Sequence, residues 1–292
     1  MKQMVIISGK GGTGKTSLAA CFAALENTID GRAPVIVDCD VDSPNLHLLL
    51  GGEIKEKEVF RGPPLAQIDR SKVNDPEKCA QSCVFGAISG LEVDPLKCVG
   101  CAVCRLVCGE EAVRMEERNS GTIFERETPW GRFFHAELLP GYPGSGGLIT
   151  ILRAKGEEVA IRRPGSVLIL DGSPGIGCQV IASLAGCDLA VIVSEPGKGA
   201  LHDLERIRQL LDFFGITGRV VINRSDLDRS LTREVERYCL DNELPVAGKI
   251  PFDPAFAEAA LSGKPAVALD NRSLNRNLED IYQRLRKTLH GL

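Results

Sequence analysis

At 292 residues, with 43% hydrophobic and 25% charged residues, the chain can bury the core of one large α/β domain, alone or with an insert. A net charge of −4 and a pI near 5.7 leave no overall basic field for nucleic acid, and no apolar run approaches membrane-spanning length. The first strand-like run begins at once, without an export signal, so a cytoplasmic protein is expected, and eleven cysteines there argue for metal or cluster ligation over disulfides.

Met4-Val5-Ile6-Ile7 reads as a buried parallel strand and Ser17 to Leu25 as a helix. Between them lies Ser8-Gly9-Lys10-Gly11-Gly12-Thr13-Gly14-Lys15-Thr16, the strand–loop–helix context of a phosphate-binding loop. Glycines let backbone N–H groups turn inward on phosphate oxygens, and the helix N-terminus adds partial positive charge. The expected nucleotide contacts run from Gly11, Gly12, Thr13 and Gly14 through Lys15, Thr16 and Ser17, with Lys15 on the β/γ-phosphates and Thr16 on Mg²⁺. A second lysine after the first glycine is not needed by an ordinary loop of this kind. Lys-Gly-Gly-x-Gly-Lys-Thr resembles the deviant Walker A motif of the MinD/ParA/nitrogenase-iron-protein superfamily. That resemblance implies that Lys10 reaches across an ATP-sandwiched homodimer.

A second strand, Ala33 to Asp38, ends in Asp38-Cys39-Asp40-Val41-Asp42, three acids where open α/β sheets place their chemistry. The resemblance assigns Asp40 to positioning the attacking water, in switch I, and Asp38 to a supporting place near Mg²⁺; Asp42 reads as a turn or cap residue. From Gly51-Gly52 to Val73 the chain reads as charged and irregular. Between about Phe60 and Thr150 the βα rhythm breaks, with short β-like runs at Thr122–Phe124 and Arg132–Phe134. This predicts an inserted small domain followed by a β-hairpin, returning through the glycine-rich stretch 141–147.

The rhythm resumes at Ser166 to Asp171, an apolar strand ending in the acid of a Walker B arrangement, with Asp171 on Mg²⁺ directly or through water. Gly172 to Gly177 follows as a flexible loop suited to sensing a γ-phosphate, as switch II. Strands are expected at Leu189–Val193, Arg219–Asn223 and Val246–Pro251, and a helix from Leu201 to Phe214. By resemblance Asn223 recognises adenine, with the base near Pro251, Phe252 and Asp253. Leu274, Leu278, Ile281, Leu285 and Leu289 form a helical stripe that is expected to pack on the sheet and not on a membrane.

Cys98-x2-Cys101-x2-Cys104-x3-Cys108 has the spacing of a bacterial ferredoxin repeat, with Gly109 replacing the usual proline. Upstream, Cys79-x3-Cys83 matches the second half of another repeat, whose first two cysteines would fall at Val73 and Pro76. In the crossed arrangement of such pairs one site is complete: Cys83, Cys98, Cys101 and Cys104, expected to hold one 4Fe–4S cluster. Cys79 and Cys108 remain from the other, as a relic, a different metal site or a disulfide. A structural zinc site on four thiolates is the rival reading. Cys178 lies in the switch II stretch and reads as a small buried thiol, with a metal bridging two subunits as the alternative; Cys21, Cys39 and Cys239 read as core.

In combination these motifs resemble P-loop ATPases of the MinD/ParA/Mrp superfamily that carry an inserted ferredoxin domain, from Met4 to about Lys264. The resemblance implies a mainly parallel, doubly wound P-loop sheet over 1–59 and 151–292, with a ferredoxin-like α+β insert over 60–150. It implies slow ATP hydrolysis by Lys10, Lys15 and Asp40, coupled to the cluster and serving electron delivery or metal-cofactor assembly for a redox or metalloprotein partner. The alternative is a ParA/MinD-like nucleotide switch or scaffold whose metal site is structural. An ATP-dependent amidase-type ligase is disfavoured, because no amidotransferase nucleophile with a matched histidine is found.

Overall fold

The computed structural model describes residues 1–29, 31–142 and 145–292. In chain order its elements are β1 (Lys2–Ser8), α1 (Lys15–Ile29), β2 (Val35–Asp38), α2 (Leu46–Leu50), β3 (Glu53–Arg61), β4 (Leu65–Ile68), α3 (Pro76–Gln81), β5 (Ile88–Ser89), β6 (Glu92–Val93), α4 (Val103–Cys108), β7 (Val113–Glu116), β8 (Asn119–Thr128) and β9 (Gly131–Leu138). The second half continues with α5 (Gly146–Ile161), β10 (Val167–Pro174), α6 (Cys178–Leu184), β11 (Leu189–Ser194), α7 (Ala200–Phe214), β12 (Thr217–Asn223), α8 (Arg229–Asp241), β13 (Val246–Ile250), α9 (Ala255–Ser262) and α10 (Arg272–His290). Two compact units result: Met1–Lys57, Phe124–Ala136 and Gly144–Leu292 form one, and Glu58–Ile123 with Glu137–Pro143 the other.

The larger unit is built on a 9-stranded sheet of order β13-β12-β11-β1-β10-β2-β9-β8-β3. Pairing from β13 through to β9 is parallel. Strands covered on both faces must be apolar throughout, and Met4 to Ile7, Val35 to Val37 and Leu189 to Val193 are all buried. Register puts Asp171 beside Asp38, so two acids from distant segments meet toward the C-terminal ends of two neighbouring interior strands.

The C-terminal stripe is where helical spacing places it. Asn271 caps α10 by accepting from Leu274 N–H at 3.1 Å, and Leu274, Leu278, Ile281, Leu285 and Leu289 are buried in the same core as β1 and α1. Tyr282 stacks on Phe22 at 5.2 Å and donates to Glu26 at 2.7 Å. Among the described residues no helix is long and apolar enough to cross a membrane.

The runs around Ile123 and Phe133 form a hairpin, β8–β9, whose strands extend the large sheet; its Phe124–Ala136 part belongs to the larger unit, and the ends at Asn119–Ile123 and Glu137–Leu138 to the smaller one. β9 pairs with β2 through Val35↔Arg132, Ile36↔Phe133 and Val37↔Phe134, which buries both phenylalanines. The run read as irregular contains β3, a nine-residue strand at the sheet edge with an almost wholly exposed sequence, EIKEKEVFR. Lysine and glutamate suit an edge because they discourage pairing with another chain, and they hide the strand from a hydrophobic pattern. Pro143 and Gly144 of the return stretch lie outside the described residues.

The smaller unit pairs β4 with β7 and β5 with β6, both antiparallel. Its core is Ala66, Cys79, Ile88, Leu91, Cys104, Cys108 and Val113. Cys79 and Cys108 form a disulfide, so of the three roles left open for this pair the structure shows the covalent one.

Candidate active site

β1 delivers the loop and α1 receives it. Gly12 and Gly14 adopt φ of +79° and +91°, where a side chain would be strained. At Gly14 a Cβ would also lie 2.4 Å from Asn223 Nδ2, so glycine is required twice over. Asn223, at the end of β12, donates from Nδ2 to the Thr13 carbonyl at 2.8 Å and accepts from Arg224 N–H at 3.0 Å. The residue assigned to adenine thus also pins the loop, with one N–H and one lone pair still to offer.

Around the loop is a cavity of about 710 Å³, lined by Gly12, Lys15, Thr16, Asp40, Ser173 and Gln179 among others. Lys15 is nearly buried and donates to Asp171 Oδ1 at 2.7 Å, with Thr16 Oγ1 at 3.3 Å and Asp40 Oδ2 at 3.8 Å. Burial works against the lysine charge, but Asp171, with Asp38 and Asp40 behind it, outweighs this and raises Lys15 above its ordinary value. The other Asp171 oxygen, Oδ2, is buried and has no hydrogen-bond partner among the described residues. A buried carboxylate oxygen without a partner, on the acid that shares Lys15 with the Thr16 hydroxyl, suits a hard cation that takes its remaining ligands from phosphate and water.

Asp38 is wholly buried and uses both oxygens on backbone, accepting from Asp40 N–H at 3.0 Å and Leu46 N–H at 3.2 Å. Burial, then Asp171, pushes its pKa up while Lys15 opposes. Its observed work is to shape the acidic loop and hold Asp40 at the cavity wall. Asp40 itself is raised by burial, against the pull of Lys15.

Lys10 is half exposed and pairs with Glu195 Oε1 at 2.7 Å in its own chain; Arg224 takes Glu195 Oε2 at 2.8 Å. A second cavity, about 230 Å³, is lined by Gly14, Ser17, Asn223, Arg224, Phe252 and Phe256 among others. Pro251 does not line it, whereas Phe252 and Asp253 beside it do. Sequence reading missed Arg224 and Phe256. Arg224 follows the singled-out asparagine and takes a φ of +50° that no local pattern signals.

Cys178 corrects another expectation: it is exposed, at the start of α6, and lines the larger cavity. Cys21, Cys39 and Cys239 are buried as expected.

In the smaller unit, Cys83, Cys98, Cys101 and Cys104 all line one cavity of about 190 Å³, walled otherwise by apolar residues such as Val84, Phe85 and Ile88. Ala87 N–H donates to Cys83 Sγ at 3.3 Å. The Cys104 thiol is raised by burial, with Cys98 and Cys101 close enough to add to it. As their side chains are placed, no three His, Cys, Asp or Glu groups among the described residues are disposed to hold a metal ion.

A family model described as the CobQ/CobB/MinD/ParA nucleotide binding domain matches residues 4–266. An uncharacterized protein of Methanocaldococcus jannaschii is 28% identical over 293 residues, covering 98% of this chain and 96% of that one. The cell division ATPase MinD of Pyrococcus furiosus has the same fold, with a TM-score of 0.60 at 19% identity over 98% of both chains. The septum site-determining protein MinD of Pyrococcus horikoshii, solved with Mg-ADP, matches with a TM-score of 0.60 at 19% identity, covering 98% of this chain and 96% of that one.

Proposed function

The chain belongs to the CobQ/CobB/MinD/ParA nucleotide-binding family, and on that premise we propose that it is a slow MgATP hydrolase whose dimer cycle is coupled to an iron–sulfur unit. The observation that carries the nucleotide half is Lys15, which lines the larger cavity with Thr16 and binds Asp171 behind it, whose Oδ2 is left without a partner among the described residues.

Thr16 and Asp171 would hold Mg²⁺, which supplies charge neutralisation at the phosphates. Lys15 exchanges its contact with Asp171 for phosphate oxygens, and loop N–H groups from Gly11 to Lys15 orient them. Asp40, beside Lys15, orients the attacking water. Lys10 would leave Glu195 to act on the nucleotide of a second copy. Asn223 offers its remaining donor and acceptor to the adenine edge, and Phe252 and Phe256 offer it apolar walls.

The cysteine half of the reading rests on the donor set, four thiols on one apolar cavity. Cys83, Cys98, Cys101 and Cys104 would hold a 4Fe–4S cluster, which supplies one-electron chemistry for a redox or metalloprotein partner. Cys79 and Cys108, joined by a disulfide, are left out of this proposed ligand set. The test is iron, acid-labile sulfide and zinc per chain on anaerobically purified protein, followed by ATP turnover with the metal centre oxidised and reduced. About four irons and four sulfides, with a turnover that depends on redox state, is the expected result. Zinc without sulfide would replace the redox reading with a nucleotide switch carrying a structural metal.

A further inference from the structure

Gln179, on α6, reaches both the loop after β2 and the end of β10 at the wall of the larger cavity. Its Nε2 donates to Asp42 Oδ2 at 2.6 Å, in the loop after β2. Its Oε1 accepts from Ser173 Oγ at 2.9 Å, two residues beyond Asp171 on β10. Ser173 Oγ also lies 2.7 Å from the carbonyl oxygen of Cys39. Gln179, Asp42 and Ser173 all line the cavity that Lys15, Thr16 and Asp40 line.

The chemistry of these groups removes most of the ambiguity. A carboxylate oxygen accepts, so Asp42 Oδ2 fixes which end of the amide faces it: nitrogen toward Asp42, oxygen toward Ser173. The serine hydroxyl has one proton for two acceptors, Cys39 O and Gln179 Oε1. The Gln179 oxygen therefore keeps at least one lone pair, and its nitrogen keeps one N–H after serving Asp42. An amide held in a set orientation, with an acceptor and a donor to spare, can take a proton of a water and give an N–H to a phosphate oxygen at once. That is the pairing needed to hold a water in line with a terminal phosphate.

We propose that Gln179 is the positioning residue for the hydrolytic water, oriented by Asp42 and Ser173 and acting beside Asp40. This rests on the reading that the cavity takes a nucleoside triphosphate. It assigns Asp42 a purpose beyond that of a turn residue: its charge sets the amide's direction. The arrangement also ties the loop after β2 to the end of β10 by one side chain of α6, so a phosphate that displaces either one disturbs the other.

The experiment is steady-state ATP turnover together with ADP affinity, for the wild type, Gln179→Leu and Gln179→Glu, over pH 5.5 to 8. For Gln179→Leu, kcat is expected to fall by about tenfold or more while ADP affinity stays within about twofold of wild type, since the water and the terminal-phosphate contact are lost and ADP has neither. In Gln179→Glu a second carboxylate faces Asp42, and only its protonated form can donate as the amide did. Its kcat relative to wild type is therefore expected to rise as pH falls, whereas the Gln179→Leu ratio stays flat. A side chain that merely supports the loop would give neither the split between kcat and affinity nor the opposed pH profiles. Wild-type turnover with an unchanged kcat in Gln179→Leu, or a flat ratio for Gln179→Glu, would overturn the proposal alone. A wild type that binds neither ADP nor ATP would overturn the nucleotide reading, and the proposal with it.

Discussion

Asn223 donates its side-chain amide to the carbonyl oxygen of Thr13 at 2.8 Å, tying the end of β12 to a loop 210 residues earlier in the chain. That single bond joins the two ends of the candidate nucleotide site and explains why the loop has no room at Gly14. Gly14→Ala should weaken ADP binding by about tenfold or more and cost about 1–3 kcal/mol of stability, because its Cβ meets the amide and its φ is positive. Adding Asn223→Ala should recover part of the stability but not the affinity. Calorimetric titration and urea unfolding of the two variants decide it; equal stabilities would show that the contact at Gly14 is not limiting.

Lys15 and Asp171 form a buried ion pair at 2.7 Å. Lys15→Met should therefore destabilise the fold by about 3–5 kcal/mol, because it strands a buried carboxylate. Lys15→Met with Asp171→Asn should be less destabilised than Lys15→Met alone, although both are expected to lose ATP turnover. Additive losses in urea unfolding would contradict a coupled pair.

His135 is wholly buried between the rings of His47, Phe124 and Phe133, and its Nε2 accepts from Arg126 Nε at 2.9 Å. Burial first, then Arg126 and His47, pushes its pKa down to about 3. The unfolded chain, with a histidine near its ordinary value of about 6.5, then binds the proton more tightly than the native state. Stability from this group is complete above that value and falls as pH drops through the window toward 3, by up to about 1.4 kcal/mol per pH unit. His135→Phe should flatten the urea midpoint between pH 7 and pH 5. An unchanged slope would place the acid sensitivity elsewhere.

The disulfide predicts a thiol count. Under denaturing, non-reducing conditions nine of the eleven cysteines should titrate, and all eleven after reduction. Cys79→Ser with Cys108→Ser should leave iron content unchanged and lower stability by about 3–4 kcal/mol, given the loop that the bridge closes. Cys98→Ser should remove most of the iron. Iron lost equally from both variants would mean that the ligand set is wrong.

Much of the phosphate end was legible in the chain itself, because its signal is local. Strand, glycine loop and helix are consecutive, so spacing alone places Lys15 and Thr16 at the helix start. The acid-bearing strand ends at Asp38 and Asp171 could be read for the same reason, as could the stripe of α10 and the cysteine spacings. The structure alone decided which distant residues meet. Parallel register, set by packing of the whole core, puts Asp171 beside Asp38, brings Asn223 to Thr13 and hands Gln179 to Asp42 and Ser173. It also recruited the β8–β9 hairpin to the large sheet, because Phe133 and Phe134 gain full burial there. Hydrophobic pattern could not show β3, whose charged side chains reflect an exposed edge, nor that Cys178 faces the cavity. Spacing within a segment fixes the segment; the partners of its side chains depend on the burial of every other segment at once.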